Sequence, residues 1–153
     1  MKEKLDSIDR KILNTLQIDG TLSVDGLSER VNLSRNACWR RVKQMEESGV
    51  IKGRVALVDP EKIGLPLLVY VLVRTNDHTQ SWLEKFRSAV SQMPEITSAH
   101  RMTGDLDYIL RVRVADVKAY DTFYQRLIAK VPIADVSASF VMEDIKETTV
   151  LVV

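Results

Sequence analysis

Between Leu67 and Met142 the chain writes one pattern twice: a β-prone apolar run, an amphipathic helical run, then a second β-prone run. Leu67–Thr75, Ser81–Met93 and Ile96–Thr103 form the first set. Tyr108–Ala115, Val117–Lys130 and Ala134–Met142 form the second. Pro94 in MPEI and Pro132 in VPIA fall at matching points, 38 residues apart. Few architectures accept that order. It predicts βαββαβ, the double split unit of a ferredoxin-like domain.

The side chains agree with the pattern. Trp82, Phe86, Ala89, Val90 and Met93 share one helical face. Tyr120, Phe123, Tyr124, Leu127, Ile128 and Val131 share another, and Asp116 suits the cap of that second helix. In the third strand Tyr108, Leu110, Val112 and Val114 alternate with Ile109, Arg111 and Arg113. Two helices cover only one side of such a sheet, yet the first strand, LLVYVLV, is apolar on both faces. The uncovered face needs another layer, most simply a second copy, so the chain is expected to form a homodimer.

The residues before this unit obey a helical period instead. A first helix is predicted over Ser7–Ile18, with Asp6 as N-cap, Asp9 in its first turn and Ile8, Ile12 and Leu16 as its buried stripe. Asp19-Gly20 ends it, with Gly20 in the left-handed conformation. A second helix follows Ser23 and turns Leu27 and Val31 inward. Asn32 tolerates a positive φ, Leu33 plugs the corner, and Ser34 caps a third helix over Arg35–Glu47. Cys38, Val42 and Met45 form the inner face of that helix. Arg35, Asn36, Arg40 and Lys43 project outward, with Trp39 at the border. Val50–Val58 is β-prone, as a small wing would be. Residues 1–54 thus form a helix-turn-helix domain, 55–66 a connector interrupted by Asp59-Pro60 and Gly64-Leu65-Pro66, and 67–153 a second domain.

Charge separates these parts. The chain carries a net +1, but residues 1–54 hold 11 Lys/Arg against 8 Asp/Glu. Seven cations lie between Arg30 and Arg54 against only Glu46 and Glu47. A cation-rich third helix behind a tight turn suits the major groove of double-stranded DNA. Arg35 forks onto guanine and Asn36 onto adenine in such an arrangement, while Arg40, Arg41 and Lys43 meet phosphates. Trp39 either packs or touches a base.

In the second domain the loop Met102–Tyr108 is read as joining the two central strands. It sets Asp105 and Asp107 around Gly104. A polar hairpin turn contains the same residues. As a ligand loop, its carboxylates accept hydrogen bonds from an ammonium group and its backbone N–H groups hold a carboxylate. Those are the two ends of a free amino acid.

Other chemistries find little support. The chain lacks a run of roughly 18 apolar residues, and its charged N-terminus does not resemble a secretion signal. Cys38 is its single cysteine, so no intrachain disulfide forms, and a cytoplasmic, nucleoid-associated protein is expected. His78 and His100 have no metal-ligand spacing with Cys38. No nucleophile–base pair or phosphate-cradling glycine loop marks an enzyme, so neither catalysis nor a cofactor or metal is expected. An architectural DNA-wrapping protein shares the basic helix but needs no ligand loop.

The ordered segments LDSIDRKILNTLQIDG, LSERVNLS, CWRRVKQMEESGVIKG, TGDLDYILRV and FVMEDIKETTVL resemble the Lrp/AsnC family of transcription regulators. The resemblance spans essentially the whole chain. It implies a helix-turn-helix domain, a β-hinge, and a ferredoxin-like domain that dimerises and assembles further, often to octamers. It also implies an amino-acid effector bound between neighbouring dimers. By position, Ser34–Glu47 matches the recognition helix. Thr103, Gly104, Asp105, Asp107 and Tyr108 match the effector loop, and Ser137 and Ser139 fall near the cleft lining. Gly26 and Asn32 depart from the usual acidic capping residue and the usual glycine.

Overall fold

Asp6 fixes where the first helix begins. Its carboxylate accepts the N–H groups of Ile8 and Asp9, both at 2.8 Å, and the Asp9 carboxylate accepts the N–H of Asp6 at 3.1 Å. This reciprocal box satisfies N–H groups that α1 (Ser7–Ile18) leaves without intrahelical partners. The computed structural model describes residues 5–153. It divides into two units: the chain through Leu57 together with Lys146–Val153, and Val58–Ile145.

In the first unit, Ser23 caps α2 (Val24–Val31) and Ser34 caps α3 (Arg35–Glu47) through their hydroxyl oxygens. Between them Asn32 takes the left-handed conformation, φ 58° and ψ 53°. The N–H of Leu33 then reaches the Ser28 carbonyl at 2.9 Å, which closes the corner. Ile12, Leu27, Val31, Cys38, Val42 and Met45 are buried together, and Leu33 packs against them. Gly20 departs from its expected geometry. It has no positive φ, and the end of α1 is shaped instead by Asp19, whose carboxylate accepts both the N–H and the hydroxyl of Thr21. The left-handed glycine after α3 is Gly49 (φ 77°), which lets the Ile51 N–H reach the Met45 carbonyl at 2.9 Å.

Arg41 also departs from expectation. Its Nη1 lies 2.8 Å from Asp6 Oδ2 and 2.7 Å from Asp9 Oδ1, so the guanidinium ties α3 to the capping box of α1. The N–H of Asp9, and after it Arg41, holds the Asp6 carboxyl below the usual carboxylate range. The β-prone segment Val50–Val58 forms no strand; a β-ribbon needs a ladder partner, and among the described residues this segment pairs with no strand. Val55 and Leu57 are exposed.

The last eight residues belong to the first unit rather than continuing the second. The Gln17 side chain grips the Leu151 backbone with both ends: Nε2 donates to the carbonyl at 3.0 Å, and Oε1 accepts the N–H at 2.6 Å. Val153 packs against the core of this unit.

The second unit is β1 (Leu67–Arg74), α4 (Gln80–Ser91), β2 (Ile96–Arg101), β3 (Tyr108–Val114), α5 (Val117–Lys130) and β4 (Asp135–Phe140). The strands form one antiparallel sheet in the order β2-β3-β1-β4, the expected ferredoxin-like arrangement. β2 is therefore an edge strand, and the Met102–Asp107 loop joins an edge strand to a central one rather than two central strands. Val69, Val71, Val73, Leu110 and Val112 bury against Phe86, Phe123 and Leu127 of the two helices. Trp82 stacks on Phe86 with ring centroids 5.1 Å apart, and its indole N–H donates to the Pro132 carbonyl at 2.6 Å. The opposite face carries Leu68, Tyr70 and Leu72 of β1 beside Ile109, Arg111 and Arg113 of β3. Among the described residues no helix is long and apolar enough to cross a membrane.

Two outcomes follow for the first unit. Gln17→Ala removes both bonds to Leu151. It is expected to cost about 1 kcal/mol, read as faster hydrogen exchange in α1; unchanged exchange would show that the tail contributes nothing. The second concerns pH. The folded pKa of Asp6 lies below the unfolded value of 3.8, so its stabilisation is complete above that value and fades as pH falls through the folded pKa. Acid titration of the first unit should show this loss. Arg41→Ala should lower stability at pH 7 and weaken the acid dependence without abolishing it, because the Asp9 N–H remains.

Candidate nucleic-acid interface and effector loop

α3 divides its residues by angle. Cys38, Val42 and Met45 are buried, which directs Arg35, Asn36, Trp39, Arg40 and Lys43 to solvent. Trp39 is 52% exposed, more open than a border position, and the Lys43 ammonium sits 5.0 Å above its ring. Asn36, Ala37, Trp39 and Arg40 line a shallow depression. Arg35 is ion-paired with Asp25 at 2.8 Å, and Lys43 with Glu47 at 3.7 Å. Both pairs are open to water, where such contacts are weak. Arg40 has no ion-pair partner among the described residues. Ser34 lies at the start of the helix with its hydroxyl oxygen accepting the Ala37 N–H at 3.3 Å. Arg41 alone of the predicted cations turns back into the fold.

The loop between β2 and β3 is held by its backbone. Gly104 adopts φ 97°, a conformation that side-chain-bearing residues rarely take. The Asp105 carbonyl accepts Nε of Arg74 at 2.9 Å, and the same guanidinium pairs with Asp135 at the start of β4, 2.7 Å away. One oxygen of Asp107 accepts the Thr75 N–H at 2.8 Å, so that carboxylate is already engaged in shaping the loop. The side chains of Thr103 and Asp105 are exposed. Tyr108 is not part of this open surface. Its ring is buried, 4.5 Å from Phe86 and 5.7 Å from Trp82 between centroids.

Ser137 and Ser139 are exposed on β4, opposite Leu72 and Tyr70 of β1. They lie on the sheet face away from the helices, because Val136 and Ala138 between them pack on the helix side. Arg74 thus brings the loop and the beginning of β4 together, while Ser139 lies farther along the strand. Sequence reading missed Arg74, Asp135 and Thr75. The one available signal was an arginine ending an otherwise apolar strand. Among the described residues, no group of three or more His, Cys, Asp or Glu is placed to hold a metal ion.

Comparison with known proteins agrees with both halves. Residues 5–52 match the family described as winged helix-turn-helix DNA-binding, and residues 68–151 match the Lrp/AsnC ligand binding domain. The chain is 51% identical over 148 residues to the DNA-binding transcriptional activator DecR of Escherichia coli K12, covering 96% of this chain and 97% of that protein. An AsnC family transcriptional regulator from Agrobacterium tumefaciens superposes with a TM-score of 0.93 at 52% identity, covering 96% of each chain. A transcriptional regulator from Neisseria meningitidis, solved in complex with L-Met, superposes with a TM-score of 0.92 at 37% identity, covering 97% of this chain and 96% of that one. With an N-terminal unit built to expose a cationic helix and a C-terminal sheet carrying the matched ligand-binding domain, the chain belongs to the Lrp/AsnC family of DNA-binding transcriptional regulators.

Proposed function

We propose that this regulator binds double-stranded DNA through α3 and that an amino acid at the 102–107 loop changes its assembly or its DNA binding. The observation that carries the reading is the split of α3 into a buried apolar stripe and an open face of Arg35, Asn36, Trp39, Arg40 and Lys43. Arg35 and Asn36 lie in the first turn, where a helix entering the major groove meets base edges. Arg40 and Lys43 lie farther along and serve phosphates. Arg41 acts through the fold rather than at the duplex.

The effector assignment rests on the loop and on relatives. The Neisseria meningitidis neighbour was solved with L-Met. Here the backbone of the loop is fixed by Arg74 and Thr75, while Thr103 and the Asp105 carboxylate remain open to a ligand ammonium. Ser137 and Ser139 supply hydroxyls on the nearby strand. One oxygen of Asp107 and the buried Tyr108 ring hold the loop in place. An effector shifts an equilibrium only by its different affinity for the two states.

The working unit is a homodimer that assembles further. Tyr70, Leu72 and Ile109 are only half-buried on the helix-free sheet face, and Val55, Leu57, Met142 and Ile145 are exposed. That much open apolar surface fits a second copy. Two recognition helices in one dimer call for an operator with two-fold symmetry. Such a protein acts in the cytoplasm, at the nucleoid.

Binding isotherms at several salt concentrations test the DNA face. Arg35→Ala should flatten base preference at one position of each half-site. Arg40→Ala should weaken all duplexes alike and reduce the salt slope by about 1. If neither variant changes binding, α3 is not the interface. Thermal shift against the free amino acids tests the loop: a true effector at about 100 times its Kd adds about 2.7 kcal/mol of stability. Asp105→Ala should erase that shift without lowering the unliganded melting temperature, because Arg74 holds the carbonyl of residue 105 and not its side chain. A flat response of the native protein to every amino acid would favour a purely architectural role.

A further inference from the structure

Asp25 is the second residue of α2 and Arg35 is the first of α3. The left-handed turn at Asn32 brings these two helix starts together, and the Asp25 carboxylate meets Arg35 at Nε, 2.8 Å away. Among the described residues the two terminal nitrogens of that guanidinium have no partner. The contact is an ion pair at the stem end of the guanidinium, not a hydrogen bond along its Nε–H, and it leaves the far edge of the fork open. Guanine is read by two parallel N–H groups from that far edge.

We propose that Asp25 is a positioning residue for base reading, holding the Arg35 guanidinium so that its terminal N–H pair faces the groove. The inference rests on the assignment of Arg35 to a base edge. Arg35 is 67% exposed on a long flexible stem, so an unrestrained guanidinium would lose considerable rotamer freedom on docking. A carboxylate at Nε removes part of that cost in advance. In water the pair is weak. Against a duplex it loses solvent, and the same contact strengthens.

The arrangement also penalises the wrong sequence. If Arg35 swings away to a phosphate, the Asp25 carboxylate is left unpaired beside a polyanion. Bound states in which Arg35 abandons its base are thus disfavoured twice, once by the lost fork and once by exposed like charge. An acidic residue at this surface lowers gross affinity for DNA. Paired with Arg35 through Nε, it gains discrimination in return.

Selection of bound duplexes from a randomised library by the full-length protein tests this. For the native protein a guanine preference is expected at one position in each half-site, and Arg35→Ala should erase it. Asp25→Ala should lower the preference about three- to tenfold at that position alone, and Asp25→Glu, which keeps the carboxylate, should restore part of it. If Arg35→Ala erases the preference while Asp25→Ala leaves it intact, the positioning role is overturned. If Asp25→Ala weakens every position alike and lowers the melting temperature of the first unit, Asp25 serves only the start of α2, and the proposal also fails. If Arg35→Ala leaves all preferences intact, the base-reading assignment itself is wrong, and the role of Asp25 falls with it.

Discussion

A helix offered to a duplex must commit one side to its own scaffold, and α3 has only thirteen residues to do so. Three of them, Cys38, Val42 and Met45, form the apolar seam. Burying side chains of this size contributes about 1.5–3 kcal/mol for each of the larger ones, enough to hold the helix but not to fix its angle alone. Arg41 adds direction. Its guanidinium reaches the two carboxylates that cap α1, so the register between α1 and α3 is tied to the geometry that starts α1. The exposed face can be polar because these two contacts make the rest of α3 unnecessary to the core.

The second unit solves the opposite problem. Its sheet has an apolar helix face and a second face only partly covered, and its 102–107 loop hangs from a sheet edge. A loop there is short of packing, so it is fixed by a few polar contacts and one turn: Arg74 on the Asp105 carbonyl, the Asp107 carboxylate on the Thr75 N–H, and Gly104 in a conformation few residues accept. Each of these contacts leaves the exposed side chains of Thr103 and Asp105 uncommitted. The loop's shape and its chemistry are therefore carried by different atoms.

Local chemistry was readable from the sequence wherever it is decided within a few residues. The bounds of α1 and α3, the caps Asp6 and Ser34, the left-handed Asn32 and the buried stripe of α3 all depend on near neighbours. The βαββαβ order was readable because its periods change sharply. Contacts between distant residues were not. Gln17 and Leu151 lie 134 positions apart and carry no pattern that announces their pairing. Tyr108 alternates correctly for the core, yet its place beside Gly104 and Asp107 also matches a ligand loop; only the rings of Trp82 and Phe86 decide between the two. Val50–Val58 has strand propensity, but propensity does not supply the partner that a strand needs. Gly20 failed as a predictor because the Asp19 side chain offered the chain end an alternative turn.

The same distinction governs the charge run that made the first unit conspicuous. Arg30, Arg35, Lys43 and Arg54 each meet a carboxylate, of Asp19, Asp25, Glu47 and Glu46 respectively, and each of the four cationic side chains is at least 40% exposed. Exposed pairs of this kind are worth about 0–1 kcal/mol, so at Arg30, Lys43 and Arg54, which have no base to read, a phosphate can replace the carboxylate at little cost. Arg41 differs in both respects. Its side chain is 27% exposed and it holds two carboxylates at once, one of them only 16% exposed. Taking it for a phosphate contact would strand both acids and loosen the start of α1. Two adjacent arginines, Arg40 and Arg41, are therefore equal in a count of charge and opposite in orientation. The helical step of about 100° between them points one at solvent and the other at the cap of α1.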